Sequence, residues 1–268
     1  MYKKKLFISN LAWNNFDTDK ILKLLKDYSI NGIDIAPIKI NNTWKNCELS
    51  MKKFKKKIFS LDLKVNAIQG VFYKTNFNLF NKKHKYKIYN HILRIIKISK
   101  ILNCNKIIIG SSNFRNNKKL STLESNIIFL DFFKKIIPLI KKNKIYICFE
   151  PIPKNYGEKY LNDINKLSNL IKKLKSPWFG INFDTSIFHF RKFNKNNFLD
   201  NQKIIKNVQI SEKNFTFLIH PSKYNYLFAK LFKKNKLFNK VSLEMISNKT
   251  DMKKLSLSLR NFKKLFNQ

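Results

Sequence analysis

Short apolar segments alternate with longer, lysine-rich segments along this chain. Eight of the apolar segments are rich in isoleucine, valine and phenylalanine, which favour β-strands. These eight segments are residues 5–9, 32–36, 64–69, 105–110, 145–150, 179–184, 206–211 and 240–245. The pattern therefore predicts eight strands, each separated from the next by a longer segment of different periodicity.

Most of the longer segments carry apolar residues at helical spacing. The clearest predicted helices are residues 17–28, 88–102, 122–142, 158–175, 222–235 and 250–266. The first opens with Asp17, which we predict as its N-cap, and continues with Ile21, Leu22, Leu24 and Leu25. The segments after the second and sixth strands show the weakest helical pattern.

Strands that alternate with helices are typical of parallel sheets with right-handed crossovers. An open, doubly wound sheet would favour a glycine-rich phosphate turn after the first strand, but residues 9–13 read Ser-Asn-Leu-Ala-Trp. A closed barrel of eight strand–helix units takes ~250 residues. We therefore predict an α/β protein with one domain over residues 1–268, a single (β/α)8 TIM barrel.

The chain has a net charge of +39, with 55 Lys and Arg residues against 16 Asp and Glu. Its four arginines are Arg94, Arg115, Arg191 and Arg260. Specific nucleic-acid binding favours arginine, because its planar guanidinium binds phosphates and bases bidentately. Here the excess is lysine, spread along the chain with many Asn, Ile and Phe residues, which is typical of A/T-rich coding. We interpret the charge as a surface property and expect no specific nucleic-acid partner.

Two further features bear on location. No segment reaches the ~18 uninterrupted apolar residues of a membrane span, and the basic first residues lack a small-residue cleavage site. The cysteines, Cys47, Cys104 and Cys148, lie far apart and match no zinc spacing. We therefore expect a cytoplasmic protein with reduced, structural thiols and no membrane partner.

Three of the few acidic residues fall at the ends of predicted strands. Glu150, Asp184 and Glu244 end or directly follow apolar runs, on strands five, six and eight. In a barrel of this kind the carboxyl-terminal ends of all strands meet at one rim, where function resides. One such carboxylate could simply cap a helix or pair with a lysine, but three on one rim favour a site for a divalent cation.

Several segments at the strand ends resemble those of a known family. They are residues 9–13, 32–37, 110–115, 150–153, 182–185 and 242–245. In order and spacing they are similar to the xylose-isomerase-like TIM-barrel family, in its sugar phosphate isomerase/epimerase branch. The resemblance runs nearly from end to end, and it implies a metal-dependent isomerase or epimerase of carbohydrate metabolism.

In this family Glu, Asp, His and Glu on strands five to eight hold a divalent metal. The resemblance implies that Glu150, Asp184 and Glu244 are ligands and that the two glutamates also transfer a proton beside the substrate carbonyl. The strand-seven histidine is replaced by Gln209. An amide carbonyl suits Mn, Mg or Co better than Zn, so we expect one of those metals. His220 follows eleven residues later and is an alternative for completing the site.

We also predict substrate-binding residues at the same rim. Trp13 follows strand one and could stack on a sugar ring or pack in the core, and Gln69 ends strand three. Arg115 and His220 lie on predicted loops after strands four and seven. Arg115 could bind a phosphate or carboxylate, or be an ordinary exposed charge. The expected partner is a small sugar, keto acid or sugar phosphate, with homo-oligomerisation left open.

Two other functions remain as alternatives. Apurinic endonucleases of the endonuclease IV type share this barrel, but they need a trinuclear zinc site with several histidines. This chain has four histidines in all, and Gln69 and Gly110 end strands three and four. The second alternative is a metal-poor, degenerate barrel with a binding role, which the loss of the strand-seven histidine would fit.

Overall fold

The computed structural model, which describes residues 4–118, 120–234 and 238–267, contains a closed barrel of eight parallel strands in sequential order. The strands are β1 (Lys5–Ser9), β2 (Gly32–Ile35), β3 (Lys64–Ile68), β4 (Lys106–Ile109), β5 (Tyr146–Phe149), β6 (Phe179–Asp184), β7 (Ile205–Ile210) and β8 (Lys240–Leu243). The barrel closes because β1 pairs in parallel with both β2 and β8. The predicted TIM barrel is therefore confirmed.

Helices connect the strands. They are α1 (Thr18–Asp27), α2 (Pro37–Asn41), α3 (Cys47–Phe59), α4 (Lys85–Ile101), α5 (Thr122–Asn143), α6 (Ile164–Lys172), α7 (Lys195–Asn201), α8 (Lys223–Lys234) and α9 (Met252–Asn267). Helices α2, α3 and α7 are the ones that the sequence pattern indicated least clearly. The last residue of the predicted helix 222–235 lies outside the described residues.

The largest differences from the predicted helix starts are at α4 and α6, and α4 begins at Lys85 and not at 88. Helix α6 begins at Ile164 and not at 158, because the Asp163 side chain caps it by accepting hydrogen bonds from the next backbone N–H groups. Asp17 does stand at the N-cap position of α1, but its side chain makes no capping bond. The chain instead enters α1 through a short 3-10 turn that Asn14 caps.

The apolar residues of the strands divide between two faces of the sheet. Ile107 and Ile109 belong to the large core cluster, whereas Ile108 between them packs with Ala67 and Cys148 in a second, small cluster. Neighbouring side chains of a strand point to opposite faces. The large cluster thus lies between sheet and helices, and the small one lies inside the barrel.

Much of the barrel interior is polar. TIM barrels usually fill this space with layers of branched apolar side chains. Here the strands bury polar and charged side chains instead: Asp34, Asn66, Lys106, Asn182, Asn207, Gln209 and Ser242. Their hydrogen bonds replace the lost contacts with water, and they form the floor beneath the carboxyl-terminal rim.

Two further predictions, on the cysteines and on membrane spans, can be compared with this fold. The three cysteines are buried and unpaired, as expected for structural thiols. Among the described residues, no helix is long and apolar enough to cross a membrane.

Candidate active site

Three carboxylates converge at the carboxyl-terminal rim. Asp184 is the last residue of β6, and Glu150 and Glu244 directly follow β5 and β8. One carboxylate oxygen from each lies within 4.8 Å of the others. The strand ends therefore bring together the three acidic residues for which the sequence predicted a common site.

Glu150 is held by its neighbours on both sides. Asn182 Nδ2 donates a hydrogen bond to Glu150 Oε2 at 3.2 Å. A side chain at Gly110, at the end of β4, would collide with the Glu150 carboxylate. The glycine thus leaves the space that this carboxylate occupies, which gives a physical reason for glycine at that strand end.

Asp184 is fixed from the opposite side of the cluster. Its Oδ1 accepts a hydrogen bond from the Ser186 backbone N–H at 2.6 Å, and its Oδ2 accepts one from Ser211 Oγ at 2.8 Å. The side chain is 2% exposed. Both donors favour the ionised form of this carboxylate and so oppose the rise in pKa that burial causes.

Glu244 is paired with a predicted substrate-binding residue. Gln69 Nε2 donates to Glu244 Oε1 at 3.1 Å and to Ser9 Oγ at 2.6 Å. Gln69 is 3% exposed. The structure therefore places Gln69 in direct contact with the carboxylate cluster, at the boundary between the rim and the polar interior.

Burial and mutual repulsion raise the pKa values of the cluster. Burial raises the pKa of Glu150 to about 8, and the neighbouring Asp184 adds to the shift. Burial, Asp184 and Glu150 together hold the pKa of Glu244 well above its usual value. Burial also raises the pKa of Asp184, although hydrogen bonds from Ser186 and Ser211 oppose the shift. Without a cation, the cluster therefore retains protons near neutral pH.

The donor set fits a hard divalent cation. Three buried carboxylates this close repel one another when ionised, and a divalent ion would offset that repulsion. Oxygen-only ligands are those that Mg²⁺ and Mn²⁺ prefer. Glu150, Asp184 and Glu244 are the residues that would hold the ion.

The stability of the metal-free protein is expected to fall as pH rises from about 4.5 towards about 8. The folded-state pKa of Glu150 lies above its unfolded value, so its contribution to stability is present at low pH and is lost as pH rises through the folded pKa. Added Mn²⁺ should restore stability at high pH, because it binds the ionised carboxylates. Thermal unfolding with chelator or Mn²⁺ at about pH 5 and about pH 8 tests this. An equal Mn²⁺-induced Tm shift at both values would contradict it.

Gln209, the predicted fourth ligand, has its amide engaged elsewhere. Its Oε1 accepts a hydrogen bond from Asn182 Nδ2 at 2.5 Å. Its Nε2 donates to Gln69 Oε1 at 2.8 Å and, at 3.4 Å, to Asp34 Oδ2. Gln209 Oε1 thus accepts one hydrogen bond and keeps a second lone pair, so the role of Gln209 as the fourth ligand stays a prediction.

Arg115, one of the predicted substrate-binding residues, has its guanidinium in a buried ion pair. It is completely buried, and its Nη2 donates to Glu158 Oε2 at 2.7 Å and to the Glu150 carbonyl at 3.0 Å. Its Nε and Nη1 have no hydrogen-bond partner among the described residues. Arg115 therefore ties the segment after β5 to the segment after β4 and supports Glu150 from its backbone.

For Trp13 the structure selects packing in the core, one of the two predicted alternatives, and it places His220 on an exposed loop. Trp13 is 1% exposed, and its Nε1 donates to Thr18 Oγ1 at 3.3 Å, so its ring is part of the core. His220 is exposed, and Asn261 of α9 donates to the two carbonyls that precede it, at 3.0 and 2.8 Å. This anchoring holds the His220 loop against α9, and no described contact joins His220 to the carboxylates.

The structure adds an aromatic wall that the sequence did not indicate. Tyr156, Phe190 and Phe215, on the loops after β5, β6 and β7, pack with ring centroids 5.1 and 5.3 Å from Tyr156. The Tyr156 hydroxyl accepts a hydrogen bond from the Asn214 backbone N–H at 2.8 Å. The Asp184 carboxylate contributes to a raised pKa of Tyr156, after burial. The three rings thus connect the loops that follow β5, β6 and β7.

The polar barrel interior was the other missed feature. Asp34 is fully buried, and it accepts a hydrogen bond from Asn66 at 2.8 Å. A signal for such residues exists in the sequence. Polar residues two apart within an apolar strand, such as Asn182 with Asp184 and Asn207 with Gln209, indicate one polar inward face.

The fold and the rim define the class: a parallel TIM barrel whose carboxyl-terminal rim carries a cluster of three carboxylates that could hold a metal ion. A family model described as xylose isomerase-like TIM barrel matches residues 22–251. The chain therefore belongs to the xylose isomerase-like TIM barrel family, as its segments at the strand ends predicted. No curated protein sequence matches the chain.

Solved structures of several enzymes are similar to this chain. The 3-keto-D-glucoside 4-epimerase from E. coli has a TM-score of 0.78 at 12% identity, over 98% of this chain and 100% of that one. The D-psicose 3-epimerase from Clostridium cellulolyticum has a TM-score of 0.75 at 10% identity, over 97% and 98%. A family 2 AP endonuclease from Brucella melitensis reaches 0.76 at 12%, over 97% and 98%. At these identities the likeness shows a shared fold.

Proposed function

We propose that this protein is a divalent-metal-dependent isomerase or epimerase that moves a proton at the carbon beside a carbonyl of a small sugar, keto acid or sugar phosphate. The observation that carries the proposal is the cluster of Glu150, Asp184 and Glu244, with ligand oxygens within 4.8 Å of one another. Sugar epimerases among the similar structures support the same class of reaction.

The bound cation would polarise the substrate carbonyl and so acidify the neighbouring C–H bond. Glu150 and Glu244 are proposed to divide the proton transfer between them. One, ionised, removes the proton, and the other, protonated, returns it. Burial raises the pKa of both glutamates, and a bound cation would oppose that rise by favouring their ionised forms.

The remaining residues position these groups. Asn182 orients Glu150 and Gln69 orients Glu244 through the hydrogen bonds described above. Asp184 has both oxygens held by donors that favour its anion, so we assign it as a ligand without a proton-transfer role. The faces of Tyr156, Phe190 and Phe215 offer an apolar surface for the C–H side of a sugar ring.

Exchange of substrate hydrogen with solvent tests the reaction. Incubation of a panel of ketoses and their phosphates in D2O with Mn²⁺ or Mg²⁺ should place deuterium at the carbon next to the carbonyl of the true substrate. Glu150→Gln, which keeps the size of the side chain, is the control and should abolish the exchange. Protein that binds Mn²⁺ but exchanges no member of the panel would contradict the reaction. Protein that binds no divalent metal would favour the degenerate barrel.

An AP endonuclease activity is the second candidate, since one similar structure carries that description. Among the described residues, the cluster that could hold a metal consists of three carboxylates and contains no histidine. Of the described lysines, only Lys4 and Lys106 are buried, so the charge is mainly a surface property.

Any DNA binding is therefore expected to be weak, independent of sequence and lost near physiological salt, because counterion release dominates such contacts. Binding of duplex DNA with and without an abasic site, titrated from ~50 to ~200 mM salt, measures this. Tight binding or cleavage at the abasic site in physiological salt would restore the nuclease hypothesis.

A further inference from the structure

A buried lysine lies in the barrel interior, beneath the carboxylate cluster. Lys106, the first residue of β4, is 8% exposed. Its Nζ donates to Asn66 Oδ1 at 2.6 Å and to Asn207 Oδ1 at 2.8 Å. An ammonium group can only donate hydrogen bonds. Both amides must therefore turn their oxygens towards Lys106 and their NH2 groups away from it.

The orientation of the Asn207 amide determines the orientation of the amides that are hydrogen-bonded to it in turn. Asn207 Nδ2 donates to Asn182 Oδ1 at 2.9 Å. Because its oxygen is used, Asn182 directs its NH2 group to Glu150 Oε2 at 3.2 Å and to Gln209 Oε1 at 2.5 Å. This first branch of the hydrogen-bonded series of side-chain amides thus ends where Asn182 Nδ2 donates to Glu150.

A second branch continues from Gln209. With its oxygen facing Asn182, Gln209 donates through Nε2 to Gln69 Oε1 at 2.8 Å. Gln69 then donates through Nε2 to Glu244 Oε1 at 3.1 Å. This branch ends on the other glutamate, so that both carboxylates face a donor supplied by the same chain.

The buried Asp34 carboxylate constrains the same network of side-chain amides. Asp34 accepts hydrogen bonds from Asn66 Nδ2 at 2.8 Å and from Gln209 Nε2 at 3.4 Å. Burial raises the pKa of Asp34 and lowers the pKa of Lys106, and the attraction between the two opposite charges opposes both shifts. In its ionised form Asp34 can only accept hydrogen bonds. Asp34 therefore favours the same orientation of Asn66 and Gln209 that Lys106 sets, and each amide has one arrangement that satisfies all its neighbours.

We propose that Lys106 is a positioning residue: it sets the direction of a chain of side-chain amides that presents N–H donors to Glu150 and Glu244. Asn207, Asn182, Gln209 and Gln69 form this amide chain. In it, Gln209 relays an N–H donor to Gln69. This amide chain explains why polar residues occupy a barrel interior that branched apolar residues usually fill. It also accounts for a glutamine at the position where the family places a ligand.

The alternative is that these residues only fill and stabilise the barrel. Two substitutions separate the hypotheses. Asn207→Asp keeps the size and the contact with Lys106, but an ionised carboxylate cannot donate to Asn182. Lys106→Met keeps length but removes the donor that orients the chain. Lys240→Met is the matched control, because Lys240 is exposed at the same end of the barrel and no described hydrogen bond joins it to the chain.

The first readout needs no metal. The whole protein has four glutamines, Gln69, Gln202, Gln209 and Gln268. With ¹⁵N-glutamine labelling, the side-chain NH2 resonances of Gln69 and Gln209 should shift and exchange faster with solvent in Asn207→Asp and Lys106→Met. The resonance of Gln202 should stay unchanged, and Lys240→Met should leave all of them in place. Unshifted Gln69 and Gln209 resonances in either folded variant would overturn the proposal.

The second readout is Mn²⁺ affinity, measured by calorimetry so that the stoichiometry reports the folded fraction. Loss of orienting partners typically weakens metal binding ~10–100-fold, and we expect that loss in both variants. Coulomb's law alone predicts the opposite sign, because each variant makes the barrel more negative. Equal or tighter Mn²⁺ binding would therefore contradict the proposal. If the wild-type protein binds no Mn²⁺, the proposed function fails, while the glutamine resonances still decide the amide chain.

Discussion

Glu244→Gln is expected to cut turnover by ~10²–10⁴-fold, the usual cost of losing a general base or acid. The substitution keeps the size of the side chain and a carbonyl oxygen, which can still accept the hydrogen bond from Gln69. It removes the group that takes up or returns the proton. Metal binding should weaken much less than turnover, since one oxygen ligand remains. Turnover at saturating Mn²⁺, beside Mn²⁺ affinity from titration, measures both effects.

Asp184→Asn provides the contrast. Asp184 accepts hydrogen bonds from Ser186 and Ser211 and is proposed as a ligand alone. Its substitution should weaken Mn²⁺ binding most, and saturating Mn²⁺ should restore much of the turnover. Equal losses in both variants, each rescued by added metal, would show that Glu244 is only a ligand. The proton-transfer group would then have to be sought elsewhere on the rim.

Glu158→Gln is expected to lower the free energy of unfolding by ~3–5 kcal/mol, because it leaves the buried Arg115 guanidinium without its counter-charge. Both partners are completely buried in this ion pair. Glu158 also accepts hydrogen bonds from the Tyr160 and Leu161 backbone N–H groups at 2.9 and 3.2 Å, so the loop after β5 should loosen as well. Denaturant unfolding of the metal-free protein measures the loss.

Two further variants test whether the loss of stability in Glu158→Gln comes from the unpaired, buried charge of Arg115. Lys57→Met breaks the Lys57–Asp19 pair, whose side chains are 55% and 65% exposed, and should cost at most about 1 kcal/mol. The double variant Arg115→Met with Glu158→Gln removes both charges and should recover part of the lost stability. A stability close to wild type in Glu158→Gln alone would mean that Arg115 finds other partners.

The pattern of the chain was sufficient to predict the eight strands and the barrel. Parallel strands buried on both faces are nearly continuous apolar runs, and the helices between them repeat with a different period. Helices α2 and α7 are short, with 5 and 7 residues, and so show too few turns to reveal that period. Helix α6 begins where the Asp163 side chain caps it, and the spacing of apolar residues does not reveal the position of such a cap.

The sequence by itself determined where the acidic cluster lies, since the ends of parallel strands in a barrel must meet at one rim. The positions of Glu150, Asp184 and Glu244 in the sequence were therefore sufficient to group them at one site. It also determined the family, because the segments at successive strand ends retain their order and spacing.

Only the tertiary structure decided what surrounds that cluster. Whether Arg115 faces solvent or Glu158, and whether Trp13 lies in the core or at the rim, depends on how loops far apart in sequence pack together. The orientation of Gln209 depends likewise on Asn182 of β6 and on Gln69, which directly follows β3. Hydrogen bonds between strands are properties of three-dimensional register, and the local sequence that specifies each strand carries no record of its partners across the barrel.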